Sequence, residues 1–155
     1  MLTAMSSLTR DQLDTWKLFQ WTYSLIMGRF KSDLARARLS VEEFDVLVHL
    51  AWARDETLML QELTSSMVLS ASLTRSGITR LLDRMERDGL VRRTLSHEDR
   101  RRFDVSLTAK GRRTFAQIWP DHADGIRRYF VDPLEAGDIA ELDRILSVLV
   151  SANEV

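Results

Sequence analysis

The sequence contains no cysteine. A chain without thiols builds no disulfide framework, no thiolate metal site and no peroxide-sensing thiol. No apolar run approaches the roughly 18 residues of a membrane span. The opening MLTAMSSLTRDQLD also lacks the basic segment and apolar stretch of a secretory signal. The expectation is a soluble, cytoplasmic chain with no membrane partner. His49, His97 and His122 stand in separate predicted elements without ligand spacing, so no metal site is expected. A phosphate loop, a nucleophile elbow, an H-E-x-x-H pattern and a convergent acid/base pair are all missing, so neither enzymatic activity nor a cofactor is expected. There is no low-complexity segment and no repeat of solenoid period.

What remains is the composition of a folded domain. With 155 residues the chain can bury roughly two thirds of its unfolded surface as one domain. Its net charge of −1 conceals an asymmetry. Arg75 to Arg113 carries 12 Lys and Arg against 6 Asp and Glu, a net of +6, while the rest carries 10 against 17, a net of −7. A basic footprint on an acidic body suits an anionic partner, although a solvated basic face gives the same count.

Thr9 to about Ala37 reads as a long helix. Thr9 and Gln12 have capping-box spacing, and Leu13, Trp16, Tyr23, Ile26, Phe30 and Leu34 recur near one face. A second stripe of Leu18, Trp21 and Leu25 widens the apolar surface enough to ask for a second chain. The next helix starts at Ser40, with Glu43 as its capping-box partner and Leu39 placed to staple against Phe44; its predicted buried face is Phe44, Leu47, Val48 and Ala51. A short strand over Thr57 to Met59 and a short helix from about Leu60 to Met67 follow. Near the other end, Pro120 is expected to kink or interrupt a helix that Thr108 caps. Asp132-Pro133 precedes a last helix with Ile139, Leu142, Leu146 and Leu149 along one side.

The basic stretch lies between these helices. Ser70, Ser72 and Thr74 are each possible N-caps. Thr74 is preferred, because Ile78, Leu81, Leu82 and Met85 then share a buried face while Arg75, Ser76, Thr79 and Arg80 crowd the exposed first turns. Gly89 is the expected stop. Two helices joined by a turn, the second basic at its N-terminal end, meet the requirement of a helix-turn-helix. Strands over Leu90 to Leu95 and Phe103 to Leu107 then flank a turn that holds Arg100, Arg101 and Arg102. Hairpin turns ordinarily favour glycine or asparagine, so a turn with this much self-repulsion suggests an anionic partner.

RSGITRLLDRMERDGLVRR, followed by D-R-R at Asp99 to Arg101 and LTAKG at Leu107 to Gly111, resembles the MarR family of bacterial winged helix-turn-helix transcription regulators. The resemblance implies a mainly α fold with a small β-hairpin wing. It implies a single domain over 1–155, in which 9–38 and 112–155 form dimerisation helices and 39–111 forms the winged helix-turn-helix lobe. It also implies a homodimeric repressor on double-stranded DNA at a pseudo-palindromic operator. By that likeness Arg75, Ser76, Thr79 and Arg80 read bases, Arg101 enters the minor groove with Asp99 holding it, Arg100 and Arg102 make phosphate or minor-groove contacts, and Arg84 touches the backbone. Surface pairing with Asp83, Glu86 or Asp88 is the alternative open to Arg80 and Arg84.

From Leu63 to Arg80 the chain is about four residues longer than the family's usual spacing, close to one helical turn. Either the basic helix starts a turn early or the turn before it is longer. The likeness further implies a small aromatic or phenolic effector in a cleft between the dimerisation helices and the lobe, with Trp16, Tyr23, His49, Trp52, Phe115 and Trp119 as candidate lining. Aromatics so placed also serve as core or dimer interface. A winged-helix module for protein–protein contact, its basic wing on an acidic partner, is the competing functional reading.

Overall fold

Ser40 opens the central helix of the lobe as its spacing predicts. Its hydroxyl accepts the Glu43 N–H at 3.2 Å, and the Glu43 carboxylate accepts the Ser40 N–H at 2.8 Å. The structure, a computed structural model, describes residues 8–70, 73–96 and 101–153. These fall into two compact units, one of Lys31–Pro120 and one of the chain up to Phe30 together with Asp121 onward.

In the Lys31–Pro120 unit, α2 (Val41–Trp52) is followed by a short 3-10 turn, β1 (Thr57–Met59), α3 (Leu60–Ser70) and α4 (Arg75–Arg87). The ribbon β2 (Val91–Leu95) and β3 (Phe103–Leu107) comes next, then the start of α5 (Ala109–Ile126). The sheet is antiparallel in the order β1-β3-β2, with Leu58 opposite Val105, Val91 opposite Leu107 and Leu95 opposite Phe103. One core joins Val46, Leu47 and Leu50 of α2, Leu63 and Met67 of α3, the apolar side of α4, and Val91, Val105 and Leu107 of the sheet. Phe44 and Leu47 are buried as the periodicity predicts and Ala51 packs against the core, while Val46 and Leu50 are buried in addition and Val48 is only half-buried. Helix α2 is packed by α3, α4 and the sheet, so more of its circumference is covered than one stripe provides for.

Helix α3 extends to Ser70, one turn beyond the expected end at Met67, while α4 begins at Arg75 as expected. The basic helix therefore starts directly after Thr74 and not a turn earlier. Ser72 lies outside the described residues.

The end of α4 and the start of α5 share one junction. Gly89, at φ 70°, donates to the Glu86 carbonyl at 3.0 Å and Leu90 to the Met85 carbonyl at 2.9 Å, the paired bonds of a Schellman stop. Thr108 caps α5 by accepting the Gly111 N–H at 3.0 Å, and its hydroxyl donates to the Gly89 carbonyl at 2.6 Å. Lys110 donates to the Asp88 carbonyl at 2.7 Å. The T-A-K-G string thus joins the end of α4 to the start of α5.

Helix α5 continues through Pro120, so of the expected kink or interruption the interruption does not occur. A proline removes one intrahelical hydrogen bond, and the carbonyl that loses its donor belongs to exposed Ala116. The irregularity comes later, where Arg127–Val131 winds as a π-helix.

The other unit contains α1 (Arg10–Arg36) up to Phe30, the end of α5, and α6 (Asp138–Asn153). Thr9 and Gln12 form the expected reciprocal bonds, at 2.8 and 3.2 Å. Phe30 packs on His122, with ring centroids 4.7 Å apart, and meets Tyr129 edge-on. Trp16, Leu18, Trp21, Tyr23 and Leu25 are exposed along α1, as are Ile139, Ile145, Val148 and Leu149 along α6.

Candidate nucleic-acid interface

Thr74 fixes where α4 begins. Its backbone is extended, and its hydroxyl accepts the Gly77 N–H at 3.1 Å, satisfying one of the helix's orphan donors. From that start Ile78, Leu81, Leu82 and Met85 turn into the core, while Arg75, Ser76, Thr79 and Arg80 lie on the exposed side. The Ser76 hydroxyl lies 3.2 Å from that of Thr74, and Thr79 donates to the Arg75 carbonyl at 3.1 Å. The sequence-predicted reading residues therefore occupy one continuous face.

The wing rises from the β2–β3 ribbon, closed at its base by a bond from the Ser96 N–H to the Arg102 carbonyl at 2.9 Å. Arg101 and Arg102 are exposed, and an Arg102 N–H lies 3.7 Å from the Met59 sulfur. Asp99 and Arg100 lie outside the described residues. Arg75, Arg101 and Arg102 line one open cleft of about 450 Å³, whose α3 wall is Gln61, Thr64 and Ser65. Its apolar lining is Met59, Leu60 and Phe103. The fold thus brings together guanidinium groups that stand 26 positions apart in the chain.

Arg84 is placed differently. Its Nε donates to Glu43 at 2.8 Å, and the Glu43 side chain is only 10% exposed. None of the acidic partners that sequence spacing offered is the one bound here. Asp83 and Glu86 instead take Arg93 of β2, whose guanidinium reaches both carboxylates and whose backbone N–H donates to Glu86 at 2.8 Å. Glu86 is held below its ordinary carboxylate value, first by that backbone N–H and then by the guanidinium. Arg93 is raised, by Asp83 first and then Glu86. Sequence reasoning missed Glu43 and Arg93 as ion partners. The 41 residues between Glu43 and Arg84 leave no local spacing to read.

Of the aromatic candidates, Phe115, Trp119 and Trp52 form a row in the Lys31–Pro120 unit. Phe115 and Trp119 stack at 5.5 Å, Trp52 meets Trp119 edge-on at 5.3 Å, and Phe44 extends the row at 6.1 Å from Phe115. Trp52 is 68% exposed. His49 turns its Nδ1 to its own helix, 2.9 Å from the Asp45 carbonyl. Trp16 and Tyr23 belong to the other unit, where Trp16 stacks on Phe19. Among the described residues no group of three or more His, Asp or Glu is placed to hold a metal ion, and no helix is long and apolar enough to cross a membrane.

A basic helix on a helix-turn-helix, beside a β-ribbon wing, defines a winged helix-turn-helix protein, the architecture expected from the sequence. The chain belongs to the SarA/Rot family of transcriptional regulators, whose family model matches residues 29–118. Among solved structures it is similar over 96% of its length to AbsC, a MarR family transcriptional regulator from Streptomyces coelicolor. That likeness covers 97% of AbsC at 26% identity, with a TM-score of 0.85. Sco3205, a MarR family regulator of the same organism solved in complex with DNA, shares the fold over 97% of this chain and 92% of its own, at 24% identity and a TM-score of 0.87. The transcriptional repressor YetL of Bacillus subtilis is 36% identical over 84 residues, 54% of this chain. The match spans about half of that relative, 48% of its length. These relatives are regulators of transcription, and the MarR likeness read from the sequence holds for the fold.

Proposed function

We propose that this transcriptional regulator binds double-stranded DNA sequence-specifically, as a homodimeric repressor on a pseudo-palindromic operator. The observation that carries the reading is the convergence of Arg75, at the head of α4, with Arg101 and Arg102 of the wing on one cleft. An arginine at a helix N-terminus can pair its planar fork with the two major-groove acceptors of guanine, and Ser76 and Thr79 beside it offer adaptable contacts. A guanidinium in the wing suits a narrow minor groove, where negative potential is concentrated. Asp99 and Arg100, in the same turn of the sequence, complete the wing in this reading.

The dimer is proposed to form through the exposed apolar rows of α1 and α6, which would otherwise leave tryptophan and leucine in water. Selection of bound duplexes from a random pool tests the whole reading. The expected product is an inverted repeat with half-sites centred about 10 bp apart, bound by two chains, with log K falling linearly against log salt. A pool without enrichment, together with capture of an acidic protein that is lost when the wing arginines are replaced, would move the wing to the protein–protein reading.

A small aromatic or phenolic effector is the second part of the proposal. The row Trp52, Trp119 and Phe115 supports it, because it offers ring faces beside an exposed indole. Tryptophan quenching by a panel of phenolic acids tests it, and a flat response to every compound would leave the row as packing.

A further inference from the structure

The reading face of α4 is bordered by ion pairs on both sides. At about 100° per residue, Arg84 and Glu86 fall roughly 160° apart around the helix, with Ser76, Thr79 and Arg80 on the arc between them and Arg75, at the head of the helix, about 20° beyond Glu86. On one margin Arg84 is bound to Glu43 of α2; on the other Glu86, with Asp83, is bound to Arg93 of β2. We propose that these two clamps set the pose of α4 for DNA, making Glu43, Arg84 and Arg93 positioning residues rather than contacts to the duplex. The inference rests on the DNA-binding reading above.

Glu43 is the pivot of the first clamp. One carboxylate oxygen accepts the Ser40 N–H in the α2 capping box, and the other accepts Arg84. The start of α2 and the margin of α4 are therefore tied through a single, largely buried side chain. A guanidinium so engaged has its charge offset by the carboxylate beside it, which weakens its pull on a phosphate and fixes where it points. The second clamp removes a repulsion as well. Asp83 lies on the exposed arc of α4, where a bare carboxylate would face the phosphates, and Arg93 neutralises it. Arg93 also ties the root of the wing to α4, so that the two reading elements move as one piece.

Anisotropy titrations of the selected operator and of a scrambled duplex, over a salt series, distinguish positioning from contact. Glu43→Gln keeps an acceptor for the capping box but withdraws the charge from Arg84. Under positioning, Glu43→Gln and Arg84→Gln each weaken operator binding about tenfold, which corresponds to 1.4 kcal/mol. The double variant is no worse than either single, scrambled-duplex binding is retained and the salt slope is unchanged. If Arg84 held a phosphate, Glu43→Gln would release it and tighten binding, while Arg84→Gln would lower the slope by about one; either result overturns the first clamp. The two variants report independently, by sign and by slope, so one that fails to fold by far-UV circular dichroism leaves the other to carry the test. Arg93→Lys keeps the charge and loses the fork; weaker operator binding at an unchanged slope is expected, and wild-type affinity overturns the second clamp. A wild-type chain without salt-dependent, sequence-selective binding overturns the DNA reading itself, whereas altered clamps on a competent wild type bear on this inference alone.

Discussion

Gly111 lies so close to the backbone of Leu90 that a Cβ added to it would stand 2.1 Å from the Leu90 carbonyl oxygen. That oxygen also accepts the Thr108 N–H at 3.1 Å, which holds it in place. The junction between the end of α4 and the start of α5 therefore admits only glycine at this point. Gly111→Ala is expected to cost at least the roughly 1–3 kcal/mol of an overpacked core. The loss should be read as a lower urea midpoint at unchanged slope, and a midpoint equal to wild type would contradict the close approach.

Thr74 holds the opposite end of α4. Thr74→Ala leaves the Gly77 N–H without its acceptor and is expected to cost about 0.5–2 kcal/mol, while Thr74→Ser should retain most of the stability. Urea unfolding of the two variants side by side tests the cap. Equal losses would mean that the hydroxyl does not hold the start of α4.

Arg101→Ala is expected to weaken binding of a selected operator by about 1–3 kcal/mol and to leave the fold intact, since the side chain is exposed at the wing. Fluorescence anisotropy against wild type measures the difference. Unchanged affinity would remove this arginine from the DNA reading.

Acid should loosen the tie between α4 and β2. The Glu86 carboxyl is held below its ordinary value of 4.5, so its folded pKa lies under its unfolded one. Ionised Glu86 then adds stability that is present in full above the unfolded value and lost as the pH falls through the lowered folded value. Glu86→Gln should therefore be less stable than wild type at neutral pH, and the difference should shrink as unfolding is measured progressively below pH 4.5. A stability difference that stayed constant over that series would show that the charge on Glu86 is not what Arg93 recognises.

Much of this protein was legible in the sequence because its signals are local. Caps, stops and periodicity act within one or two turns of chain, which is why Thr9, Ser40, Thr74, Gly89 and Thr108 could be assigned before any coordinates. The charged turn between two apolar runs likewise announced a ribbon. Pro120 does not interrupt its helix, since losing one bond at an exposed carbonyl does not end a helix already anchored at Thr108. The end of α3 was less legible, and only the fold carries that helix from Met67 on to Ser70.

Tertiary structure alone decided which charges are spent inside the protein. Arg80, Arg84 and Arg93 look equivalent as letters in a basic stretch. The packing of α2 and β2 against α4 brings Glu43 to Arg84 and puts Arg93 between Asp83 and Glu86, while Arg80 is left on the exposed arc. The same packing sets Arg75 beside Arg101 and Arg102. Pairing over such separations depends on how whole elements dock, and docking is set by the shared core rather than by the spacing of residues along the chain.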